Sequence, residues 1–462
     1  MNRVAIEMAD RRSQIGVESA RTLIVGLGLT GVSCARYLQE RNVPVVIIDS
    51  RSQPPGLSLL QEETFDVPVV TGGFDPSVFA SAERLVLSPG ISIHEPQVQA
   101  AQKRGVEVLG DVELFAREAI APVAAITGSN GKSTVTALLG EMAHHAGKET
   151  AVGGNIGLPV LDLLSNKNEL YVLELSSFQL ETTSSLKPKV AAVLNISPDH
   201  LDRHDGIEGY AEAKNAIYKG AEIRVFNRDD ARVMAMRGKP RAEDLFFTLQ
   251  KPTSVKVFGV CSQDGETWLC RGSQQLLPAT ELQLPGRHNL ANALAALAMG
   301  TALGLPMPAM LEALCSFQGL PHRSQLIAEH AGVRWYNDSK ATNVGACIAA
   351  LEGLADSVDC IVLIAGGESK DADFTELAAV AERTVRAVVL IGRDAALIEN
   401  ALGDAVPVTK AADMNAAVKC AGELAKPGDC VLLSPACASF DMFRNFEHRG
   451  DTFIEAVRRL MV

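Results

Sequence analysis

A glycine-rich loop between an apolar strand and a helix constrains the fold of this chain more than any other feature. Residues 127–134 read Thr-Gly-Ser-Asn-Gly-Lys-Ser-Thr and follow the apolar run 123–126. In such a loop, backbone N–H groups and the positive end of a helix dipole face bound phosphates. Lys132 can neutralise the terminal phosphates, and Ser133 can bind Mg²⁺. Position 126 is Ile rather than Gly, so the loop is shorter than a standard phosphate loop. The motif still predicts ATP binding.

Short apolar runs rich in β-branched residues recur along the chain and predict buried strands. They are residues 22–25, 43–48, 123–126, 170–173, 190–194, 360–364, 387–391 and 430–433. Ala- and Leu-rich stretches with helical spacing lie between them, so the chain is predicted to be an α/β protein with parallel sheets covered on both faces. In such sheets ligands bind beyond the carboxyl ends of the strands.

The length of 462 residues predicts about three domains. The strand–helix rhythm restarts near Gly110 and Gly319. We therefore expect a Rossmann-like N-terminal domain over 1–110, a central P-loop-type ATP-binding domain over 111–319 and a Rossmann-like C-terminal domain over 320–462. Residues 1–19 lack an apolar stretch, which predicts a loose extension and not a secretory signal.

Composition excludes several classes of protein. A net charge of -12 argues against a nucleic-acid partner. The nine cysteines include no C-x-x-C pair, so we expect neither a disulfide framework nor a structural zinc site, and a reducing cytoplasm fits. Residues 290–311 carry no charge but contain Gly and Pro, which predicts a buried helix from about Asn289 to Leu303 and no membrane span. We expect a cytoplasmic monomer.

A second glycine loop, Gly26 to Gly31, has the G-x-G-x-x-G pattern and follows the first predicted strand. The second strand ends at Asp49, near the spacing of a dinucleotide-binding fold. The loop fits the pyrophosphate of NAD, that of a nucleotide sugar, or a tight turn without a ligand. An ATP loop in the same chain favours a nucleotide sugar, because activating a carboxylate for amide formation needs ATP and hydride transfer does not.

Polar residues follow two further strands of the ATP-binding sheet. Glu174 comes directly after the run 170–173, where a carboxylate can bind Mg²⁺. His200 lies beyond the end of the next strand and is a candidate metal or substrate contact. Lys214 follows on a predicted helix, and by sequence alone it would be a solvated lysine.

These motifs occur in a fixed order together with several others. The full set is residues 127–134, 153–157, 174–180, 199–202, 286–293, 320–323 and 337–343. In this order they resemble the Mur ligase family, over nearly the whole chain after residue 20. The resemblance implies an ATP-dependent amide ligase that passes through an acyl phosphate and uses two Mg²⁺ ions. It also implies ATP contacts at Gly128, Ser129, Asn130, Gly131, Lys132, Ser133, Thr134, Asn289, Asn292, Arg323, Asp338 and Lys340.

Within the family, residues 26–31, 87–90 and 434–441 resemble the member that adds D-glutamate to UDP-N-acetylmuramoyl-L-alanine in peptidoglycan precursor synthesis. The resemblance implies that the UDP-linked precursor contacts Gly28, Leu29, Thr30, Asp49, Ser50, Arg51, Ser88, Pro89, Gly90, Asn155, Gln179 and His200. D-glutamate would contact Thr342, Lys370, Ser439 and Phe446. Metal ligands would be Ser133, Glu174, His200 and a carbamylated Lys214. The catalytic residues would be Lys132, His200, Lys214 and Arg323.

Three other functions remain open from the sequence. The first is another amino-acid ligase of the same superfamily, such as one that extends folate with glutamate. The second is a nicotinamide-dependent oxidoreductase that uses the loop from Gly26 to Gly31. The third is an ATP-gated binding module without catalytic activity.

Overall fold

The computed structural model describes residues 22–63, 67–200, 203–284, 286–355, 357–369 and 372–461. The predicted extension 1–19, the motif residues Leu201 and Asp202, and the predicted D-glutamate contact Lys370 lie outside these ranges. The described chain forms three separate sheets in chain order, each accompanied by helices. The α/β class and the three-part architecture predicted from the strand–helix rhythm are confirmed.

The first sheet is parallel and has the order β3-β2-β1-β4-β5. The order reverses between β1 and β4, which opens a crevice at their carboxyl ends. Its strands are β1 (Thr22–Val25), β2 (Val45–Asp49), β3 (Val69–Thr71), β4 (Arg84–Leu87) and β5 (Glu107–Gly110). Its helices are α1 (Leu29–Glu40), α2 (Leu57–Glu62), α3 (Pro76–Ala80), α4 (Pro96–Lys103) and α5 (Asp111–Glu118).

The second sheet has nine strands in the order β14-β13-β12-β11-β10-β9-β6-β8-β7. The strands are β6 (Val123–Thr127), β7 (Thr150–Gly154), β8 (Leu170–Glu174), β9 (Val190–Val193), β10 (Ile223–Asn227), β11 (Leu245–Phe247), β12 (Val257–Gln263), β13 (Glu266–Arg271) and β14 (Gln274–Pro278). The helices are α6 (Lys132–His145), α7 (Ser177–Glu181), α8 (Gly206–Asn215), α9 (Ala231–Ala235), α10 (Arg287–Ala302) and α11 (Met307–Ser316), with 3₁₀ turns at Val160–Leu163, Ala216–Tyr218 and Ala279–Glu281. Pairing is parallel from β7 to β12 and antiparallel along β12, β13 and β14.

The third sheet has six strands in the order β15-β16-β20-β17-β18-β19, with only the edge strand β15 antiparallel to its neighbour in this described sheet. The strands are β15 (Gln325–His330), β16 (Val333–Asn337), β17 (Ile361–Gly366), β18 (Val385–Ile391), β19 (Val408–Lys410) and β20 (Cys430–Leu433). The helices are α12 (Val344–Ala355), α13 (Thr375–Thr384), α14 (Ala395–Leu402), α15 (Met414–Leu424) and α16 (Phe446–Leu460).

The structure bears on two predictions from the sequence, which concern the uncharged stretch 290–311 and the cysteines. The uncharged stretch 290–311 lies in α10 and the start of α11, and Leu294 to Met299 are buried within the protein. Every helix in the described ranges falls short of the length and apolarity needed to cross a membrane. The cysteine expectation needs a correction, because Cys261 on β12 and Cys270 on β13 form a disulfide. Strand pairing brings these two residues together, and sequence spacing does not reveal it.

The first and second sheets are held together by a shared core and by hydrogen bonds. One hydrophobic cluster runs from Ile24 through Phe115 to Ala125, and the rings of Phe115 and Tyr171 meet edge to face at 4.9 Å. On α5, the buried carboxylate of Glu113 accepts hydrogen bonds from the backbone N–H groups of Ser184 at 2.7 Å and Ser185 at 2.9 Å. The turn after α7 is therefore fixed to the N-terminal part of the chain.

We predict that Glu113→Ala lowers the free energy of unfolding by about 2–3 kcal/mol, because two backbone N–H groups lose a charged acceptor that is itself buried. Urea unfolding followed by circular dichroism measures the change. Glu141→Ala, which removes an exposed glutamate from α6, is the control and should change stability by less than about 0.5 kcal/mol. Equal stability of the two variants would contradict the assigned role of Glu113.

Candidate active site

The loop between β6 and α6 has a backbone shape that requires glycine. Gly128 and Gly131 have φ of 150° and 82°, and a Cβ on Gly131 would lie 2.4 Å from the side-chain oxygen of Asn292. Asn195 holds the loop by accepting from the backbone N–H of Asn130 at 2.8 Å and donating to its carbonyl at 3.0 Å. Ser129 is held similarly, because its hydroxyl donates to the carbonyl of Ser197. The loop N–H groups are thus positioned before any phosphate arrives.

Lys132 begins α6 and folds back over this loop. Its ammonium group donates to the carbonyls of Gly128 and Ser129, both at 2.9 Å. Burial lowers the pKa of Lys132, although the carboxylates of Glu174 and Asp199 act in the opposite direction. The Lys132 side-chain nitrogen therefore stands at the mouth of the loop.

Ser133 joins residues from three distant parts of the sequence. Its hydroxyl donates to Oε2 of Glu174 at 2.6 Å, and Nη2 of Arg323 donates to the Ser133 oxygen at 2.6 Å. Asn155 donates to Oε1 of Glu174 at 2.7 Å. The loop, the end of β8, the turn after β7 and the start of the third sheet converge on this group.

Glu174 is buried yet ionised. Burial by itself would raise the pKa of the Glu174 carboxyl, but the charge of Lys132 and the hydrogen bonds from Ser133 and Asn155 lower it below its ordinary value. The result is an anionic oxygen pair beside a hydroxyl, which matches the donors that hard divalent cations prefer.

Lys214 lies in the same buried region and is not solvated. It is 1% exposed, and its amine lies 3.3 Å from the Thr127 hydroxyl and 4.5 Å from the ring centre of Tyr210. Burial, helped by the nearby charge of Lys132, lowers the pKa of Lys214 well below its ordinary value. This environment favours the neutral form of the amine.

His200 adopts a left-handed backbone conformation, with φ of 53°. Its ring meets Phe178 edge to face at 5.0 Å, and Nε2 lies 3.7 Å from a carboxylate oxygen of Asp199. The guanidinium carbon of Arg203 lies over the Phe178 ring, 4.5 Å from the ring centre. Arg203 in turn donates to the carbonyl of Ile91 at 2.8 Å, which connects this region with the turn after β4.

A cavity of about 350 Å³ adjoins the loop, between the second and third sheets. That size suits a small-molecule site. Its wall includes many of the residues predicted to bind ATP: Asn130, Gly131, Thr134, Asn289, Asn292, Arg323, Asp338 and Lys340.

Two titratable groups from the third sheet face this cavity. Asp338 accepts from the Ser434 hydroxyl at 2.8 Å and from the backbone N–H of Ser324 at 3.0 Å, and burial raises its pKa to about 6. The Lys340 ammonium lies 3.7 Å from the ring centre of Phe446, and burial lowers its pKa to about 8.

The residues predicted to bind the UDP part lie along the crevice of the first sheet. Asp49 accepts from the backbone N–H of Leu27 at 2.7 Å and pairs with Arg51, so it fixes the glycine loop. The Ser88 hydroxyl donates to the carbonyl of Gly26 at 2.9 Å. Leu29 is 64% exposed. The remaining predicted contacts are also at least partly exposed: Gly28, Thr30, Ser50, Pro89 and Gly90.

Gln179 is placed differently from Asn155. It is buried, accepts from the backbone N–H of Ser176 in a capping box at the start of α7, and donates to Asp111 at 3.4 Å. Its amide is thus occupied in holding α7 against α5. Asn155, by contrast, reaches the Ser133–Glu174 group.

The predicted D-glutamate contacts within the described ranges lie in the C-terminal part of the chain. Thr342 follows the Lys340 turn, Ser439 is buried after β20, and Phe446 begins α16. Sequence reasoning missed Arg449, which is fully buried and donates to Ser339 and to the carbonyls of Cys437 and Ala438. Arg449 fixes the segments on which Thr342 and Ser439 depend.

The three sheets and the converging loop define a multidomain α/β nucleotide-binding enzyme. Three family models match the chain: Mur ligase MurD-like, N-terminal domain over 20–110; Mur ligase middle domain over 126–300; and Mur ligase, glutamate ligase domain over 322–437. The chain belongs to the Mur ligase family, whose members are ATP-dependent ligases.

Comparisons with single proteins agree. The chain is 52% identical to a protein from Nitrosococcus oceani (96% of this chain, 97% of that one) and to one from Pseudomonas aeruginosa (95% and 98%). Both are named UDP-N-acetylmuramoylalanine--D-glutamate ligase. Among solved structures, a pseudomurein peptide ligase type C from Methanothermus fervidus has a TM-score of 0.61 at 17% identity, covering 95% of this chain and 100% of that one. UDP-N-acetylmuramate-alanine ligase from Thermotoga maritima has a TM-score of 0.60 at 18% identity, covering 95% and 99%. At these identities the two structures support the fold alone.

We predict that stability rises between pH 8 and pH 10 because of Lys340. Its pKa falls from 10.5 to about 8 on folding, so in this window the unfolded chain binds more protons than the folded one. Urea unfolding should show the wild type gaining about 1–2 kcal/mol over this range relative to Lys340→Met. Lys103→Met, at an exposed lysine, should follow the wild type. Parallel pH profiles for wild type and Lys340→Met would refute the assignment.

Proposed function

We propose that this protein joins D-glutamate to the carboxylate of UDP-N-acetylmuramoyl-L-alanine, with conversion of ATP to ADP and phosphate, in peptidoglycan precursor synthesis. The observation that carries the proposal is the convergence of Lys132, Ser133, Glu174 and Arg323 beside the cavity. The shared name of relatives 52% identical over almost the full length supports the choice of substrates.

Each substrate is assigned to one part of the chain. Residues 1–110 bind the UDP part of the precursor in the crevice of the first sheet. Residues 111–319 bind ATP through the loop and the cavity. Residues 320–462 bind D-glutamate through Thr342, Lys370, Ser439 and Phe446. The acceptor lies near Asn155, Gln179 and His200, and Gln179 also fixes α7.

The reaction begins when the precursor carboxylate attacks the γ-phosphoryl group of ATP, giving an acyl phosphate and ADP. The amine of D-glutamate then adds to the acyl carbon, and phosphate leaves from the tetrahedral intermediate. A free carboxylate has no usable leaving group, and phosphorylation supplies one. Lys132 and Arg323 neutralise the phosphate oxygens, which otherwise repel the incoming carboxylate.

The donor set also fits Mg²⁺. Ser133 and Glu174 offer a hydroxyl and an ionised carboxylate in contact. Among the residues that the structure describes, no group of three His, Cys, Asp or Glu side chains forms a complete metal cage. In proteins Mg²⁺ commonly keeps several waters and is bound by one or two carboxylates together with substrate phosphates. We assign two ions, with His200 and Lys214 serving the second. When bound, Mg²⁺ supplies positive charge to the phosphate oxygens.

Lys214 can serve as a ligand of Mg²⁺ only when its side chain is an anion. A neutral buried amine reacts with carbon dioxide to give a carbamate, and the surroundings of Lys214 favour the neutral amine. The carbamate oxygens would then face Thr127 and the loop.

Phosphate release across a panel of substrates tests the proposal. With ATP and magnesium, purified protein should release phosphate only when UDP-N-acetylmuramoyl-L-alanine and D-glutamate are both present. As controls, L-glutamate or another amino acid replaces D-glutamate, and a folate acceptor replaces the UDP-precursor. Turnover with a different amino acid would instead indicate another amino-acid ligase. An NAD-dependent change in absorbance would indicate an oxidoreductase.

We predict that Lys214→Ala loses at least about 100-fold in kcat and that added acetate or formate restores part of it, because a small carboxylate can occupy the place of the carbamate. Steady-state ADP release measures both effects. Lys187→Ala, at an exposed lysine, should keep normal activity and show no response to acetate. Lack of rescue together with normal folding would count against the carbamate.

A further inference from the structure

A second cavity lies away from the candidate active site and has a different chemical character. It is open to solvent, has a volume of about 660 Å³ and is bounded by the end of α8, the following 3₁₀ turn, β10 and the loop after α9. None of the residues that line it also lines the ATP cavity. Nothing in the proposed reaction uses it.

Basic residues are concentrated in residues 219–241, the segment that supplies most of the cavity lining. Residues 219–241 contain seven Lys or Arg and three Asp or Glu, in a chain whose net charge is -12. Five of the basic residues line the cavity: Lys219, Arg224, Arg237, Lys239 and Arg241. The single carboxylate in the described lining is Glu212. The cavity lining is therefore positively charged, although the protein as a whole is acidic.

One buried carboxylate organises the floor of the cavity. Asp244 accepts two hydrogen bonds from Arg224, both at 2.9 Å, and one from Nε of Arg237 at 3.0 Å. Arg224 is buried and also donates to the carbonyls of Arg237 and Lys239, which fixes the loop that carries the other cations. Two guanidinium groups therefore share one negative charge.

The remaining cations are not neutralised in this way. Lys219, Lys239 and Arg241 are exposed, and the ion pairs of the described residues include none of their side chains. After Asp244 and Glu212 are set against the five basic residues, the cavity keeps an excess of three positive charges. Fixed guanidinium groups and exposed ammonium groups together suit phosphate oxygens.

We propose that this cavity binds a small polyanion that carries two or more phosphate groups. A nucleoside polyphosphate and an inorganic polyphosphate share the required chemistry, and the volume is in the range of small-molecule sites. Glu212 and Asn215 of the lining flank Lys214 on α8, so the ligand contacts the helix that carries Lys214.

Isothermal titration calorimetry with sodium tripolyphosphate tests the proposal. The full chain carries Lys132→Ala, which weakens competition from the glycine loop. Adding Lys219→Gln and Lys239→Gln should weaken binding by about tenfold, as expected for two lost surface ion pairs. The matched control adds Lys103→Gln and Lys167→Gln, which change net charge equally at exposed positions outside the cavity. Equal affinity of the two proteins, or no measurable binding, overturns the proposal.

A parallel titration with GTP separates the two sources of the ligand. Tighter binding of GTP than of tripolyphosphate, lost in the Lys219→Gln/Lys239→Gln protein, assigns a nucleotide. Equal affinity assigns the phosphate chain alone. As an independent readout, tripolyphosphate should protect Lys239 from amine acetylation, followed by mass spectrometry, and should leave Lys103 unprotected. Equal acetylation of Lys239 with and without tripolyphosphate also overturns the proposal.

Discussion

The architecture depends on how closely the loop from Gly128 to Gly131 approaches its surroundings. Both glycines have positive φ, and a side chain on Gly131 would collide with Asn292 of α10. The loop therefore touches β9 through Asn195 and α10 through Asn292 at once. This fixes the position of Ser133, on which Glu174 and Arg323 converge. Substitution of either glycine would displace the phosphate-binding groups as well as the backbone.

The two junctions between the parts of the chain differ in kind. The first and second sheets share a hydrophobic core and the two hydrogen bonds accepted by the buried Glu113 carboxylate, so a change in their relative position is energetically costly. At the active site, the third sheet meets the second through polar contacts such as Arg323 with Ser133 and Asn343 with Asp199. A nucleotide can replace such polar contacts with its own.

The fold class and much of the candidate active site could be predicted from the sequence. In a parallel sheet, polar residues that follow the strands lie together at one edge. The runs 22–25 and 430–433 match β1 and β20, and the loop after β6 follows its motif. The predicted runs match eight of the twenty strands in the described ranges. The missed strands are mostly short or more polar, such as β13 and β14, whose exposed, mixed composition lacks a continuous apolar run. Arg449 occupies an amphipathic helix, where burial cannot be told from solvation. The pairing of Cys261 with Cys270 depends on strand register, and the hydrogen bond from Gln179 to Asp111 joins residues that are 68 positions apart in the sequence.

The central claim is that a substrate carboxylate becomes a mixed anhydride beside Lys132 and Arg323, and the path of oxygen tests it directly. UDP-N-acetylmuramoyl-L-alanine labelled with heavy oxygen in its carboxylate is converted in the presence of ATP and D-glutamate, and the released phosphate is analysed by mass spectrometry. The acyl-phosphate mechanism predicts one labelled oxygen in each phosphate released, because the carboxylate oxygen leaves with the phosphoryl group. Phosphate without label, formed together with product, would contradict it.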